Sequence, residues 1–578
     1  MARPCQVSPE VQFVAPDHTA AQFQQLDRRS FLRHVGVTAA GLTAVDFLGY
    51  FARAGLPKED QTATLAKQAT ESNANPHFLI YWYLEGGWLS YDMFSPVATA
   101  NNLVQRLKEI SQERYRVAKF GEENYGIYNY GNIRYGYLAE PGKDLFADMA
   151  VLSSMHTGSF HSGDRLKCHL GDYNFKLTDD RQEDERSVMQ AFAEVYGQPY
   201  VLPNLSWHWW LSDGELNEVQ YTGRKGYYHA LGPPHAHTIY AGTPAKLKKF
   251  LLQMQADSGD TVNRQIQKFL DGAHDEFLKD DNLEAVKSYH SARQIYLQLA
   301  ARGMKLDRSM LLKLFNDPAL KDEFGVKPTD ELITYRSVNG NKARSKFSPN
   351  TNVQAMMTYE LMRAGLACAF FIESRDIRRF DTHKNRKALW EADRKTPIGQ
   401  TDQTTMMKQD LWDPLHALVK RLKETPFADG KSSLYDYTTL VINSEFGRTI
   451  HGDVEGILKK SISEEEKQKE IDGQDISQHW KVTSCAFLGG QVRGDSQFGR
   501  VGEKTLMAIP LMPDGGLDPA YDPVTGELLH GKEKDPKSSI PNHGDVYATA
   551  LYLSGIDPKG RGRNQRGPLK FIRKGEMA

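Results

Sequence analysis

The chain has 578 residues, and its 72 Lys+Arg nearly balance its 73 Asp+Glu, so it lacks the basic excess that a nucleic-acid surface needs. Its 40% hydrophobic and 10% aromatic content suits a folded globule and excludes a disordered chain. Four cysteines are too few for a disulfide scaffold. Cys5 lies near the N-terminus, and Cys168, Cys368 and Cys485 read as free buried thiols.

Asp27-Arg28-Arg29-Ser30-Phe31-Leu32-Arg33 precedes an Ala/Gly-rich, moderately apolar run from His34 to Val45. Paired arginines, a Phe-Leu step and a weak apolar stretch resemble a twin-arginine export signal, here residues 1–56, with Ala52-Arg53-Ala54 as small residues for cleavage. The run is too short to span a bilayer permanently. The expectation is a periplasmic or secreted protein that crosses already folded through the twin-arginine machinery. Such cargo can load a metal before export and needs no disulfides. A polar linker, residues 57–76, follows.

Phe78 to Leu84 is apolar on both faces and reads as a central parallel strand. Gly86-Gly87 then allows a tight turn, with Asp92 and Ser95 close behind. Tyr115 to Tyr137 reads as an aromatic-rich loop. Met149 to Ser154 is a second strand, leading into a stretch with His156, His161, Asp164, Arg165 and His169. Ser187 to Tyr196 has a helical pattern. His235 and His237 have metal-ligand spacing, but the adjacent prolines favour a loop.

Residues 243–325 read as a helical insertion, from apolar positions such as Phe250, Leu251 and Met254. A helix from Thr358 and a strand from Leu366 to Glu373 lead to Asp381-Thr382-His383. In extended backbone that spacing puts both side chains on one face. The pair fits either a divalent cation or a histidine held by an aspartate without metal.

Asp402 to Lys423 is an amphipathic helix. It delivers the chain to Thr438–Ser444, an apolar, β-branched strand that ends abruptly on Glu445-Phe446-Gly447-Arg448. Ligands of α/β proteins bind beyond the carboxyl ends of strands. The strands ending at Glu85, Ser154 and Glu373 have the same anatomy, so side by side their polar ends would meet. Ser461 to Gln474 is a charged, solvated excursion. His479-Trp480 precede a strand at Cys485–Leu488, and a Pro/Gly/Asp-rich loop spans Pro510 to Pro541. A last helix, His543 to Ser554, and a basic tail close the chain. Alternating strands and helices imply an α/β fold, a central mostly parallel sheet with helices on both faces.

From Phe78 to Pro558 the chain resembles the exported domain-of-unknown-function 1501 family, within the alkaline phosphatase and sulfatase superfamily. Glu445-Phe446-Gly447-Arg448-Thr449 matches that family's most specific motif. Asp381-Thr382-His383 matches a second, with Phe380 in place of tryptophan. Gly86-Gly87 with Asp92, Leu311 to Gly325, and His479-Trp480 match others. Ile476, Ser477 and Gln478 replace Gly, Arg and Asp before His479, Leu89 replaces serine, and Ile450 replaces proline.

The resemblance implies an alkaline phosphatase-like domain over residues 77–578. It also implies a divalent-metal site built from Asp381, His383, Glu445 and His479, whose oxygen and imidazole donors allow zinc, manganese or calcium. At the nucleophile position stands His161 rather than a serine, threonine or cysteine, with Ser162 adjacent. His161 is then expected as base or ligand toward metal-activated water, and Arg165 and Arg448 as partners for a phosphate or sulfate group. The implied function is hydrolysis of a phosphate or sulfate ester, on a substrate such as an anionic glycan. The alternative is a non-catalytic relative that binds a glycan or partner protein, which the neutral Gln478 and the missing hydroxyl favour. A weaker alternative is a structural protein of the cell envelope.

Overall fold

The computed structural model describes residues 77–97, 127–159, 161–171, 187–207, 236, 239–257, 307–331, 335–338, 342–345, 349–374, 380, 406–427, 430–448, 460–473, 479–559 and 567–576. The expected export signal (residues 1–56), the expected linker (residues 57–76), His235, His237, Asp381 and His383 lie outside them.

Strand β1 (Phe78–Leu84) is buried at all 7 residues. A run with no polar face can be accommodated only where both faces are covered. Beyond a single helical turn at Ser90–Asp92, the stretch read as an aromatic loop contains an antiparallel hairpin, β2 (Ile127–Tyr130) and β3 (Ile133–Gly136). Its two-residue turn is Gly131-Asn132, with Gly131 at φ +52°. That is a hairpin dipeptide, and it was the available signal. A 3-10 stretch, Tyr137–Asp148, leads into β4 (Met149–His156) and helix α1 (His161–Leu170). Helix α2 (Val188–Tyr196) is capped by Ser187, which accepts a bond from the Gln190 amide.

Strands β5 (Leu202–Ser206) and β6 (Ile239–Tyr240) follow. Three helices fall in the expected helical region: α3 (Pro244–Asp257), α4 (Arg308–Lys313) and α5 (Pro318–Glu323). Residues 258–306 of that region lie outside the described ones. A small antiparallel hairpin, β7 (Tyr335–Val338) and β8 (Lys342–Ser345), precedes α6 (Thr351–Arg363) and β9 (Ala367–Glu373). The amphipathic helix expected up to Lys423 is divided. A π-turn at Lys408–Trp412 passes into α7 (Asp413–Glu424), where Pro414 sits in the first turn.

Next come β10 (Thr438–Ser444) and β11 (Gly447–Arg448), then α8 (Glu464–Gly473), a helix within the charged excursion. Strands β12 (His479–Trp480), β13 (Val482–Gly489) and β14 (Ser496–Phe498) and helix α9 (His543–Leu553) complete the set. No helix among the described residues is long and apolar enough to cross a membrane.

The main sheet has 8 strands in the order β14-β4-β13-β10-β1-β9-β5-β6. β13 runs antiparallel to both of its neighbours, and every other pair in the sheet is parallel. The expected mixed α/β architecture with a mostly parallel sheet is therefore present. Alternation along β1 assigns the layers. The Tyr81 hydroxyl donates to the Cys168 carbonyl of α1, while the Trp82 indole donates to the Asp410 carbonyl of the π-turn. Helices α1, α2 and α9 thus lie on one face and the paired α6 and α7 on the other. Cys168, Cys368 and Cys485 are buried free thiols.

Candidate functional site at the carboxyl ends of the central strands

Strands β9, β1 and β10 are neighbours, with Tyr83 in register with both Glu373 and Asn443. Glu85 and Glu445 therefore occupy equivalent positions just past two adjacent strands, beside Glu373 at the end of the third. All three are buried, at 0%, 0% and 5% exposure. Three carboxyl groups taken from water so close together are costly unless the fold supplies donors.

For Glu445 the donors are local. Its Oε1 accepts from the Gly86 amide at 2.8 Å and its Oε2 from the Tyr83 hydroxyl at 3.1 Å. The backbone of Glu85 is fixed instead, its amide donating to Ser374 Oγ at 3.3 Å and its carbonyl accepting from the Phe380 amide at 2.8 Å. Phe380 is buried and immediately precedes Asp381 in the sequence. The chain is thus tied to the β1 strand end one residue before the Asp-Thr-His motif.

The Gly86-Gly87 turn needs both glycines. Their φ angles are +112° and +81°, and a Cβ on Gly87 would lie 2.5 Å from the Phe446 ring. Arg448 is fully buried beneath this turn. Its Nε donates to the Gly87 carbonyl at 3.1 Å and its Nη2 to the Gly86 carbonyl. The expected partner of Arg448 was a substrate anion; the partners seen are two backbone carbonyls. Glu445 and Arg448 together hold the turn from its amide and carbonyl sides.

β11 pairs with β12 so that Arg448 lies opposite His479, whose ring packs on Phe446 at 4.2 Å between centroids. His479 Nδ1 lies 2.9 Å from the Ser159 carbonyl. A carbonyl only accepts, so Nδ1 is the donor in this contact. Metal-ligating histidines use the same kind of backbone support. Ser159 also precedes α1, which opens at His161. The side chains of His161, Ser162 and Arg165 lie outside what the structure describes.

Sequence reasoning missed His543. It opens α9 inside a capping box made by Asn542 and Asp545, and it is buried. Its Nε2 donates to the Glu445 carbonyl at 2.9 Å, and its Nδ1 accepts from Asn443 Nδ2 at 3.2 Å. Asn443 in turn donates to the Tyr81 hydroxyl at 2.8 Å. Burial holds the His543 pKa below the ordinary imidazole range, against the opposing pull of Asp164. The signal available was Asn542-His543-Gly544-Asp545, a helix N-terminus with an imidazole in its first turn.

Asp92 lies beyond the glycine turn and is nearly enclosed. Burial raises its pKa to about 7, opposed by a hydrogen bond from the Tyr137 hydroxyl. Asp164, in the first turn of α1, accepts from the Gly158 amide at 2.7 Å and from Lys167 at 3.2 Å, closing the loop that precedes the helix.

The structure thus brings Glu445, Arg448, His479 and the opening of α1 to one end of the sheet. Among the described residues no group of three or more His, Cys, Asp or Glu side chains converges so as to hold a metal ion. The described donors of the expected set are Glu445 and His479. No protein-family model matches the chain, and a search of curated proteins finds no match.

Proposed function

We propose that the protein is an exported, metal-dependent hydrolase of phosphate or sulfate esters, with an alkaline phosphatase-like domain and an anionic glycan as a candidate substrate. One observation carries the reading. Three neighbouring parallel strands end in buried carboxyl residues, Glu373, Glu85 and Glu445, and Phe380 ties the start of the Asp-Thr-His motif to the same edge. A purely structural sheet end has no need of such a costly set of groups.

Asp381, His383, Glu445 and His479 are the residues that would hold the cation. The oxygen and nitrogen donors and the backbone support of His479 fit a divalent ion. A cation of this class supplies Lewis-acid polarisation of the ester and a lowered pKa for water. The chain's own work is orientation. Tyr83 and Gly86 aim the Glu445 carboxylate, the Ser159 carbonyl fixes the His479 ring, and Arg448 holds the Gly86-Gly87 turn rigid. His161, at the start of α1, is the proposed base, and Arg165 the proposed anion partner.

The second reading, a catalytically inactive module that binds a glycan or protein, is favoured by one feature. Arg448 is fully buried and gives Nε and Nη2 donors to the Gly87 and Gly86 carbonyls, a role in holding the turn rather than in meeting a ligand. A panel of phosphate and sulfate monoesters, run with and without added zinc, manganese or calcium, separates the two. Turnover abolished by His161→Ala and by a chelator supports the hydrolase. Absence of turnover on every ester, with glycan binding retained, supports the module.

A further inference from the structure

At the same edge of the sheet, four large apolar side chains stay half-buried: Trp480, Leu506, Met507 and Ile540. They pack on a small core of Tyr91, Val97, Val482, Val501 and Ala508, separate from the main one. Tyr91 belongs to the helical turn after β1. Trp480 lies opposite Gly447 in the β11–β12 pair, and Val482 pairs with His156 at the end of β4. Successive strand residues point to opposite faces. The His479 ring packs on Phe446, so the Trp480 indole stands on the other face of the same strand pair.

The ledge is fixed in place. The Leu506 carbonyl accepts from the Tyr91 hydroxyl at 3.2 Å and from the Trp480 indole N–H at 3.3 Å. The indole is thus tethered by its polar edge while part of its ring remains in contact with solvent. Leu506 itself stands at φ +55°, a left-handed conformation that costs a leucine free energy and that glycine adopts freely. Its side chain is only half-buried, so core burial does not account for a leucine there. Backbone strain of this kind gathers at functional sites. The loop that carries it is closed by the Gly502 amide donating to the Met507 carbonyl at 3.0 Å. Polar residues rim it: Glu503, Lys504 and Thr505 precede Leu506 in that loop, and the exposed Lys481 follows Trp480.

We propose that Trp480, with Leu506 and Met507, forms a platform for one sugar ring of a glycan chain. The axial C–H bonds of a pyranose make a flat apolar face that lies on an indole, and its hydroxyl edges suit a polar rim. A wholly apolar ligand has no use for that rim. The platform rests on the glycan that both readings of the function share. It puts a ring of that glycan on the face of the β11–β12 pair away from His479.

Native affinity electrophoresis of the full chain tests it, in gels cast with chondroitin sulfate, alginate, pectin or dextran and in a glycan-free gel. Wild type is expected to be retarded in at least one of the four. Trp480→Ala should weaken that binding by roughly tenfold, the scale of one lost aromatic contact. Trp480→Phe keeps a ring and should keep most of the binding. Leu506→Gly suits the positive φ, so it should stay folded and still bind more weakly, which covers the case in which Trp480→Ala fails to fold. Asp381→Ala should bind as wild type does. Turnover of methyl phosphate and methyl sulfate is read separately: its absence beside Trp480-dependent retardation would remove the hydrolase and support the platform. Retardation in no gel would overturn the platform. So would full retardation of folded Trp480→Ala and Leu506→Gly, or loss in Asp381→Ala alone, which would assign the glycan to the strand-end site.

Discussion

Arg448 is the residue whose chemistry departs furthest from what its motif suggests. A guanidinium beside a strand-end glutamate reads as an anion receptor, yet it is fully buried and donates to the Gly86 and Gly87 carbonyls. Arg448→Met should therefore destabilise the fold by about 3 kcal/mol, because it leaves buried carbonyls without donors. Arg448→Lys should rescue little of this, since a single ammonium does not reproduce the fork. Urea unfolding midpoints check this; unchanged midpoints would mean that the residue serves only a ligand.

Asp92 and His543 give opposed pH dependences. The Asp92 pKa is raised to about 7 by burial, so the folded state holds a proton that the unfolded state has lost. Its contribution is complete at low pH and is lost as pH rises from about 4 to 7, by at most about 1.4 kcal/mol per pH unit. The His543 pKa is lowered by burial, so its contribution is present above the ordinary imidazole pKa and is lost as pH falls below it. Asp92→Asn should flatten the loss of stability toward neutral pH, and His543→Gln the loss on the acid side. Stability measured at several pH values from 4 to 8 distinguishes them. Parallel pH profiles for Asp92→Asn and wild type would contradict the Asp92 assignment.

At the scale of elements, α9 matters because its first turn delivers His543 to the Glu445 carbonyl. Asn542 caps that helix, accepting from the Gly544 and Asp545 amides. Asn542→Ala should cost about 1 kcal/mol, the usual worth of an N-cap, measured as a lowered urea midpoint. No change would mean that the helix end is held by packing alone.

The elements also differ in how readable they were. β1 and β9 are apolar runs and β10 has an apolar Leu440–Ile442 centre, all ending in charge, and such runs are accommodated in the middle of a covered sheet. Which strands are neighbours was not legible; the register of β1 with β9 and β10 is what brings Glu85, Glu373 and Glu445 together. The antiparallel direction of β13 was not legible, because an apolar run carries no sign of its direction. The β2–β3 hairpin was hidden by aromatic composition, although Gly131-Asn132 marked it. His543 was missed because a helix N-terminus in the sequence does not say which strand end it will face.

For the whole molecule, the proposed function would have the chain fold and load its metal before export, and act at the carboxyl edge of the sheet. The described part of the site supplies a turn clamped by Glu445 and Arg448 and a histidine held by a backbone carbonyl. Elemental analysis of the protein purified from its native compartment, beside Asp381→Ala, tests the central claim most directly. The account predicts at least one divalent ion per wild-type chain and its loss from a folded Asp381→Ala variant. A wild-type protein without divalent metal, or a variant that keeps the full complement, would contradict it.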